Sequence, residues 1–272
     1  MPAKLYWFSM SHPALAARKM LELKGVAFAS VRVLPGTQRA YLRLVGFRGG
    51  TVPALVLDGR RIQGSRPIAR ALDQWAPEPA LFPPDPAGRA RVEEAERWGD
   101  QELQNVPRIL FRWGLVHDMG LRRWFAEDGG FPLPALAARL SGPTARYYAR
   151  ISGADEGTAR RAVEGLGAML DHVDALLADG TLSTEAPNAA TFQVLCTVRV
   201  MHAFSDLHEI VDAHPAAAAA REVFPEYPGP VPRFLPHAWL AASSPAALPA
   251  PSPPPVGGQP DEAQDREGGQ HE

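Results

Sequence analysis

Hydrophobic positions follow two periods along this chain, and the change from one to the other divides it. Residues 4–8 (Lys-Leu-Tyr-Trp-Phe) form an aromatic-rich run that reads as a short buried strand. Pro13 suits the first turn of a helix, where its missing N–H costs nothing. Ala14, Ala17, Met20, Leu21 and Lys24 then recur at spacings of three and four, up to Gly25 as the helix stop. Residues 26–34 carry β-branched and aromatic side chains and read as a second strand. From Ala54 an apolar run, the Asp58-Gly59 turn and a second short run to Ile62 spell a hairpin. Ile68, Leu72 and Trp75 then share one helical face, with Ser65 placed to cap it. The order is β-α-β followed by β-β-α, unlike the plain alternation of most doubly wound folds.

Residues 76–87 contain Pro77, Pro79, Pro83, Pro84 and Pro86, cannot continue a helix, and read as an extended linker. Strand patterns are not evident beyond it. Val92, Ala95, Gly99, Leu103 and Val106 mark a long helix with a kink expected near Pro107. A second helix is expected over 134–152, a third through Val163, Leu170 and Leu177 to Gly180, and a fourth over 189–204 with shorter pieces to Leu240. From Ser243 the chain is Pro, Gly, Ser, Gln and acidic residues with few apolar groups, so 243–272 is expected to be disordered.

Composition narrows the function. The 272 residues are long enough for two domains with real cores. A formal net charge of −2, with both signs spread along the chain, argues against a nucleic-acid partner. No stretch approaches the length of a membrane span, and the N-terminus runs straight into strand-like sequence, so the expected setting is cytoplasmic. Cys196 is the single cysteine, which excludes an internal disulfide, a Cys-based zinc site and a C-x-x-C pair. Cys196 falls at helical spacing with Phe192, Leu195 and Arg199 and reads as core. His202, His208, Glu209, Asp212 and His214 crowd one region, but their spacing fits no zinc motif; helix-surface polarity explains them, and no metal is expected.

Several segments resemble the glutathione S-transferase family. Ser11-His12-Pro13-Ala14, with Arg18 to Gly25, looks like the family's turn after the first strand and its first helix. Thr51-Val52-Pro53-Ala54-Leu55 resembles its T/K-V-P-x-L, and Gly64-Ser65-Arg66-Pro67-Ile68 its E/Q-S-x-x-I. Pro77 to Pro83 resembles the crossing segment, and residues 187–192 the buried helix start that usually reads A-D-x. The resemblance covers roughly 3–240 and implies an α/β thioredoxin-like N-terminal domain (βαβ-ββα, 1–76), a linker (77–87), an all-helical bundle domain (88–242) and the tail (243–272). It also implies a homodimer.

The resemblance further implies glutathione, or a related low-molecular-weight thiol, as co-substrate, activated for attack on a small electrophile. Val52, before a cis Pro53, would pair with the cysteinyl backbone like an added strand. Ser65 would hold the γ-glutamyl carboxylate at a helix N-terminus. The thiolate donor sits just after the first strand, at Ser11, with Ser9 the second candidate; Tyr6, within the strand, reads as packed. A serine hydroxyl stabilises a thiolate but forms no mixed disulfide, so the expected chemistry is conjugation, isomerisation or dehalogenation rather than thiol–disulfide exchange. His12 is placed to orient an anion, and Arg108, Arg112, Trp113, Tyr147 and Tyr148 are candidates to line an acceptor pocket. Two departures, Gly64 for the acidic or Gln residue and Thr191 for Asp, keep a non-catalytic binding protein on the same scaffold as the alternative.

Overall fold

The Asp58-Gly59 hairpin forms as its sequence demands. Asp58 and Gly59 both take positive φ (48° and 79°), the paired left-handed conformation of a tight turn whose twist matches the flanking strands. The computed structural model describes residues 3–227 and 229–241; the 243–272 segment expected to be disordered lies outside the described residues. β1 (Ala3–Trp7), α1 (His12–Leu23), β2 (Phe28–Arg32), α2 (Gln38–Leu44), β3 (Ala54–Leu57), β4 (Arg60–Gln63) and α3 (Ser65–Trp75) build the first half. Its four-stranded sheet has the order β2-β1-β3-β4, with β1 parallel to β2 (Leu5 opposite Ser30) and antiparallel to β3 (Leu5 opposite Leu55). This is the thioredoxin-like arrangement implied by the sequence.

The two-residue strand period sets the two faces of the sheet. Leu5 and Leu55 point toward α1 and α3, joining Met20, Leu21, Ile68 and Leu72 in the main core. Tyr6 and Ala54 point the other way, where Leu42 of α2 and Phe47 cover them; Tyr6 meets Phe47 edge-on at 5.5 Å. The Lys24 ammonium is fully buried, bonded to Asp73 Oδ1 at 2.9 Å and to the Ala76 and Pro77 carbonyls. Asp73 Oδ1 also accepts the Leu81 N–H at 2.7 Å, so one ion pair pins the crossing segment.

The second half is helical: α4 (Pro86–Trp98), α5 (Asn105–His117), α6 (Met119–Asp128), α7 (Pro134–Leu140), α8 (Gly142–Ile151), α9 (Glu156–Glu164), α10 (Leu166–Ala178), α11 (Ala189–Ala203), α12 (His208–Asp212), α13 (Pro215–Val223) and α14 (His237–Ala241). α11 is its axis, buried along nearly its whole length and packed on α1, α4 and α13. Its start explains Thr191. Asn188 Oδ1 accepts the Thr191 N–H at 3.0 Å and Thr191 Oγ1 accepts the Asn188 N–H, a reciprocal capping box that serves where the family pattern has Asp.

Several sequence expectations are corrected. The break in the long helix is not at Pro107 but at a π-helical turn, Gly99–Leu103, closed by the Gln104 N–H on the Gly99 carbonyl. The helix expected over 134–152 is two, separated at Ser141, and the helix through Val163 is parted from α10 at Gly165. α4 starts inside the expected linker at Pro86, because Asp85 caps it through the Gly88 N–H. Ser65 is the first residue of α3, not its cap; Gly64 holds the cap position with φ 89° and ψ 146°, a conformation open to glycine. α2 and α6 were not expected.

Both halves meet through α1 and α11 and through polar ties. Glu96 of α4, almost wholly buried, takes Arg70 at 2.8 Å and Arg66 at 3.3 Å, both from α3. No helix among the described residues is long and apolar enough to cross a membrane.

Candidate functional site

A cavity of about 440 Å³ opens where the β1–α1 turn and the loops before α2 and β3 face α5, α6 and α8. Ser11 stands on its wall. The Ser11 N–H donates to the Phe8 carbonyl at 3.0 Å, folding the chain back after β1. The Ser11 carbonyl accepts the Ala14 and Leu15 N–H groups, so its backbone starts α1. Its side chain makes no cap bond to that helix (φ −87°, ψ 86°). A buried hydroxyl at the positive end of a helix, uncommitted to the backbone, is suited to meet an anion.

Val52 and Thr51 share that wall. The Val52-Pro53 bond is cis, and Val52 precedes β3, so its backbone stands outside the ladder that begins at Ala54. Pro53 itself is turned into the fold, its carbonyl accepting the Gly64 N–H at 2.9 Å. Gln63, which sequence reasoning passed over, holds this loop: its Oε1 accepts the Gly49 N–H at 2.7 Å and its Nε2 donates to the Thr51 carbonyl at 3.1 Å.

The remaining two candidates are engaged elsewhere. Ser65 is not on the cavity wall; its hydroxyl donates to Gln193 Oε1 of α11 at 2.7 Å, inside the protein. Ser9 donates to the Asp128 carboxylate at the end of α6, and Arg32 reaches the Asp128 carbonyl, a strap across the two halves. Of the helical residues considered, Arg108, Arg112 and Tyr148 line the cavity. Trp113 is instead buried against Trp239 at 4.8 Å, and Tyr147 is exposed.

Among the described residues the charged groups on the wall are three arginines, Arg108 and Arg112 of α5 and Arg122 of α6, and no Asp or Glu lines it. Burial lowers the Arg108 pKa, and the neighbouring Arg112 guanidinium lowers it further; Asp100 and Cys196 oppose the shift. Burial likewise lowers Arg112. His12 is fully enclosed, and burial, then Arg108, hold its pKa well below the usual imidazole range, so the ring is neutral. His12 Nε2 and Gln38 Oε1, both of cavity-lining residues, have no hydrogen-bond partner among the described residues. Cys196 is buried, and burial pushes its thiol up to about 12, which disfavours the thiolate.

Two histidines of the histidine-rich segment bond to aspartates. His202 and Arg221 share Asp212, at 3.1 and 2.6 Å. His214 caps onto Asp174 at 2.7 Å, whose other oxygen takes the Ala216 N–H and docks α13 on α10. A more open groove of about 790 Å³ between α4 and α10, lined by Trp98, Met169 and His172, holds none of the sequence-derived site residues.

Residues 5–80 match the family model for the glutathione S-transferase N-terminal domain. No curated protein sequence matches the chain. Among solved structures, a glutathione S-transferase from Sinorhizobium meliloti 1021 is similar with a TM-score of 0.57 at 20% identity, covering 89% of this chain and 98% of that one. One from Methylobacterium radiotolerans JCM 2831, in complex with glutathione sulfonate, gives 0.51 at 18% identity, covering 85% and 95%. The beta-etherase LigF from Sphingobium sp. strain SYK-6 gives 0.51 at 19% identity, covering 82% and 99%. Identities this low establish the fold and leave the reaction open. Sheet order, helical second half and domain match agree: the chain carries a glutathione S-transferase N-terminal domain over residues 5–80 and, as a whole, shares the fold of the solved glutathione S-transferases.

Proposed function

We propose that this protein is a serine-type thiol transferase, using glutathione or a related low-molecular-weight thiol to attack a small electrophile in the cavity between its two halves. The observation that carries it is Ser11, buried at the start of α1 on the cavity wall with its hydroxyl uncommitted to the helix, beside the backbone of Val52. In the mechanism the thiol loses its proton to water, and the Ser11 hydroxyl donates a hydrogen bond to the thiolate. The N-terminal end of α1 adds a favourable field, so the anion exists near neutral pH. The sulfur then forms its bond to the electrophilic carbon, and the leaving group departs with its electron pair. Val52 would fix the thiol's peptide backbone as an added strand does. Because the Ser65 hydroxyl is committed to Gln193, a carboxylate at α3 would be held by the backbone N–H groups of its first turn.

A calorimetric titration with glutathione and parallel thiols, followed by turnover of Ser11→Ala, tests this. One-site binding and a loss of about tenfold or more in turnover, with folding intact, are expected for a missing thiolate donor. Unchanged turnover removes Ser11 from the mechanism. The Ser65–Gln193 bond also favours a second reading, a binding protein that keeps the scaffold without the reaction; it predicts that no thiol binds.

A further inference from the structure

Arg122 and Arg123 are adjacent in sequence and opposite in circumstance. Arg123, on the outer side of α6, pairs with Glu127 at 2.9 Å, as Arg89 pairs with Glu93 and Arg97 with Glu94 on α4. Arg122 turns inward onto the cavity wall, and its buried Nε has no hydrogen-bond partner. Arg108 and Arg112, four residues apart on one face of α5, line the same wall. Among the described residues none of the three forms an ion pair and no Asp or Glu lines the cavity; Asp100 acts on Arg108 only from outside the wall. The Asp128 carboxylate at the end of α6 does not line the cavity and accepts the Ser9 hydroxyl.

Like charges held together in a partly buried site are costly without a counter-charge, and a bound anion removes that cost. The rest of the wall says what the anion is attached to. Phe111 of α5 meets Phe125 of α6 edge-on at 5.0 Å and Phe204 at 6.1 Å, giving an aromatic surface beside the guanidinium groups. Guanidinium forks recognise planar oxyanions in bidentate fashion. Ser11 and Val52 sit on the sheet side of the cavity; the arginines and these phenylalanines sit on the helical side.

We infer that the helical side of the cavity selects an aromatic compound bearing a carboxylate or similar oxyanion, received by Arg108 and Arg112. The inference rests on the transferase reading for the ligand's role as second substrate, not for its chemistry. The test is calorimetric titration of the full chain with naphthalene-2-carboxylate and with its neutral analogue naphthalene-2-carboxamide, alongside glutathione. The carboxylate should bind at least about tenfold more tightly, the factor expected for one charge-assisted hydrogen-bonded pair. Arg112→Met and Arg108→Met should each reduce that discrimination, Arg112→Lys should retain part of it, and glutathione affinity should stay unchanged. Equal affinities of the two probes in the wild-type protein overturn the inference without any variant. Variants that lose glutathione binding and keep the discrimination overturn it too, by assigning the arginines to the thiol. A wild-type protein that discriminates the probes but binds no thiol sinks the transferase reading and leaves the anion site standing.

Discussion

Glu96 makes a sharp test of how the two halves are joined. Its carboxylate is 2% exposed, while the Arg70 and Arg66 side chains that hold it are 33% and 28% exposed. The three partners are therefore not equivalent. In Arg70→Met the carboxylate stays buried with one guanidinium at 3.3 Å in place of two. Stripping one partner from a buried pair costs about 3–5 kcal/mol; with Arg66 retained, about 2–3 kcal/mol is expected. That corresponds to a fall of about 5–10 °C in Tm for a chain of this size. In Glu96→Met the guanidiniums swing to water and an apolar group fills the space, so a loss of about 1 kcal/mol or less is expected. The pH dependence supplies a second readout. Burial raises the Glu96 pKa, opposed by Arg70 and then Arg66, so Arg70→Met raises it further. An acid whose folded pKa exceeds its unfolded value keeps in the native state a proton the unfolded chain has released, and stability falls as pH rises through that window. The deficit of Arg70→Met should thus shrink as pH is lowered from about 7.5 toward about 5. Thermal unfolding by circular dichroism across that range measures both effects. A Glu96→Met melt below that of Arg70→Met would refute the reasoning.

Two further outcomes are expected besides those for Ser11 and the arginines. Gly114→Ala drives a methyl into the Phe234 ring and to 2.7 Å from Leu121, an overpacking cost of about 1–3 kcal/mol readable in urea titration. His12 is held neutral in the folded state, by burial first and then by Arg108, while the unfolded chain takes up a proton near its ordinary value. Stability is therefore full above about pH 6.5 and falls by about 1.4 kcal/mol per pH unit below it, until the folded pKa is reached. His12→Gln should flatten that limb in denaturant titrations at stepped pH; an unchanged slope would assign the acid sensitivity elsewhere.

The β elements were legible because their signals are local: an aromatic run in β1, β-branched and aromatic residues in β2, a D-G turn between β3 and β4. α2 was not, since a seven-residue helix with Leu42 as its buried residue has no repeating apolar stripe. The break at Ser141 was hidden for the opposite reason. Leu136, Leu140, Tyr147 and Ile151 keep helical spacing across it, yet all are exposed, so the stripe marks no core. In the site, Ser11, Val52, Arg108, Arg112 and Tyr148 were within reach of spacing and resemblance. The diversion of Ser65 to Gln193 and of Ser9 to Asp128 was not, because each joins residues more than 100 apart in sequence. Choosing Tyr148 over Tyr147, or Arg112 over Trp113, needs the rotation of a helix about its axis, which periodicity alone leaves undetermined where both faces carry large side chains.

That rotation has a specific origin in α5. The π-helical turn at Gly99–Leu103 carries one residue more than an α-helical turn would, and each residue is worth about 100° of rotation. Upstream of it, Ala95 and Glu96 face inward; downstream, Arg108, Phe111, Arg112 and Leu115 face the cavity. The turn thus works as a phase adjuster, letting one stretch of helix serve two masters, the junction with α3 and the lining of the cavity. A lineage that deleted a single residue there would keep the sheet and the bundle while rotating Arg108 and Arg112 away from the cavity, changing its lining without altering any lining residue.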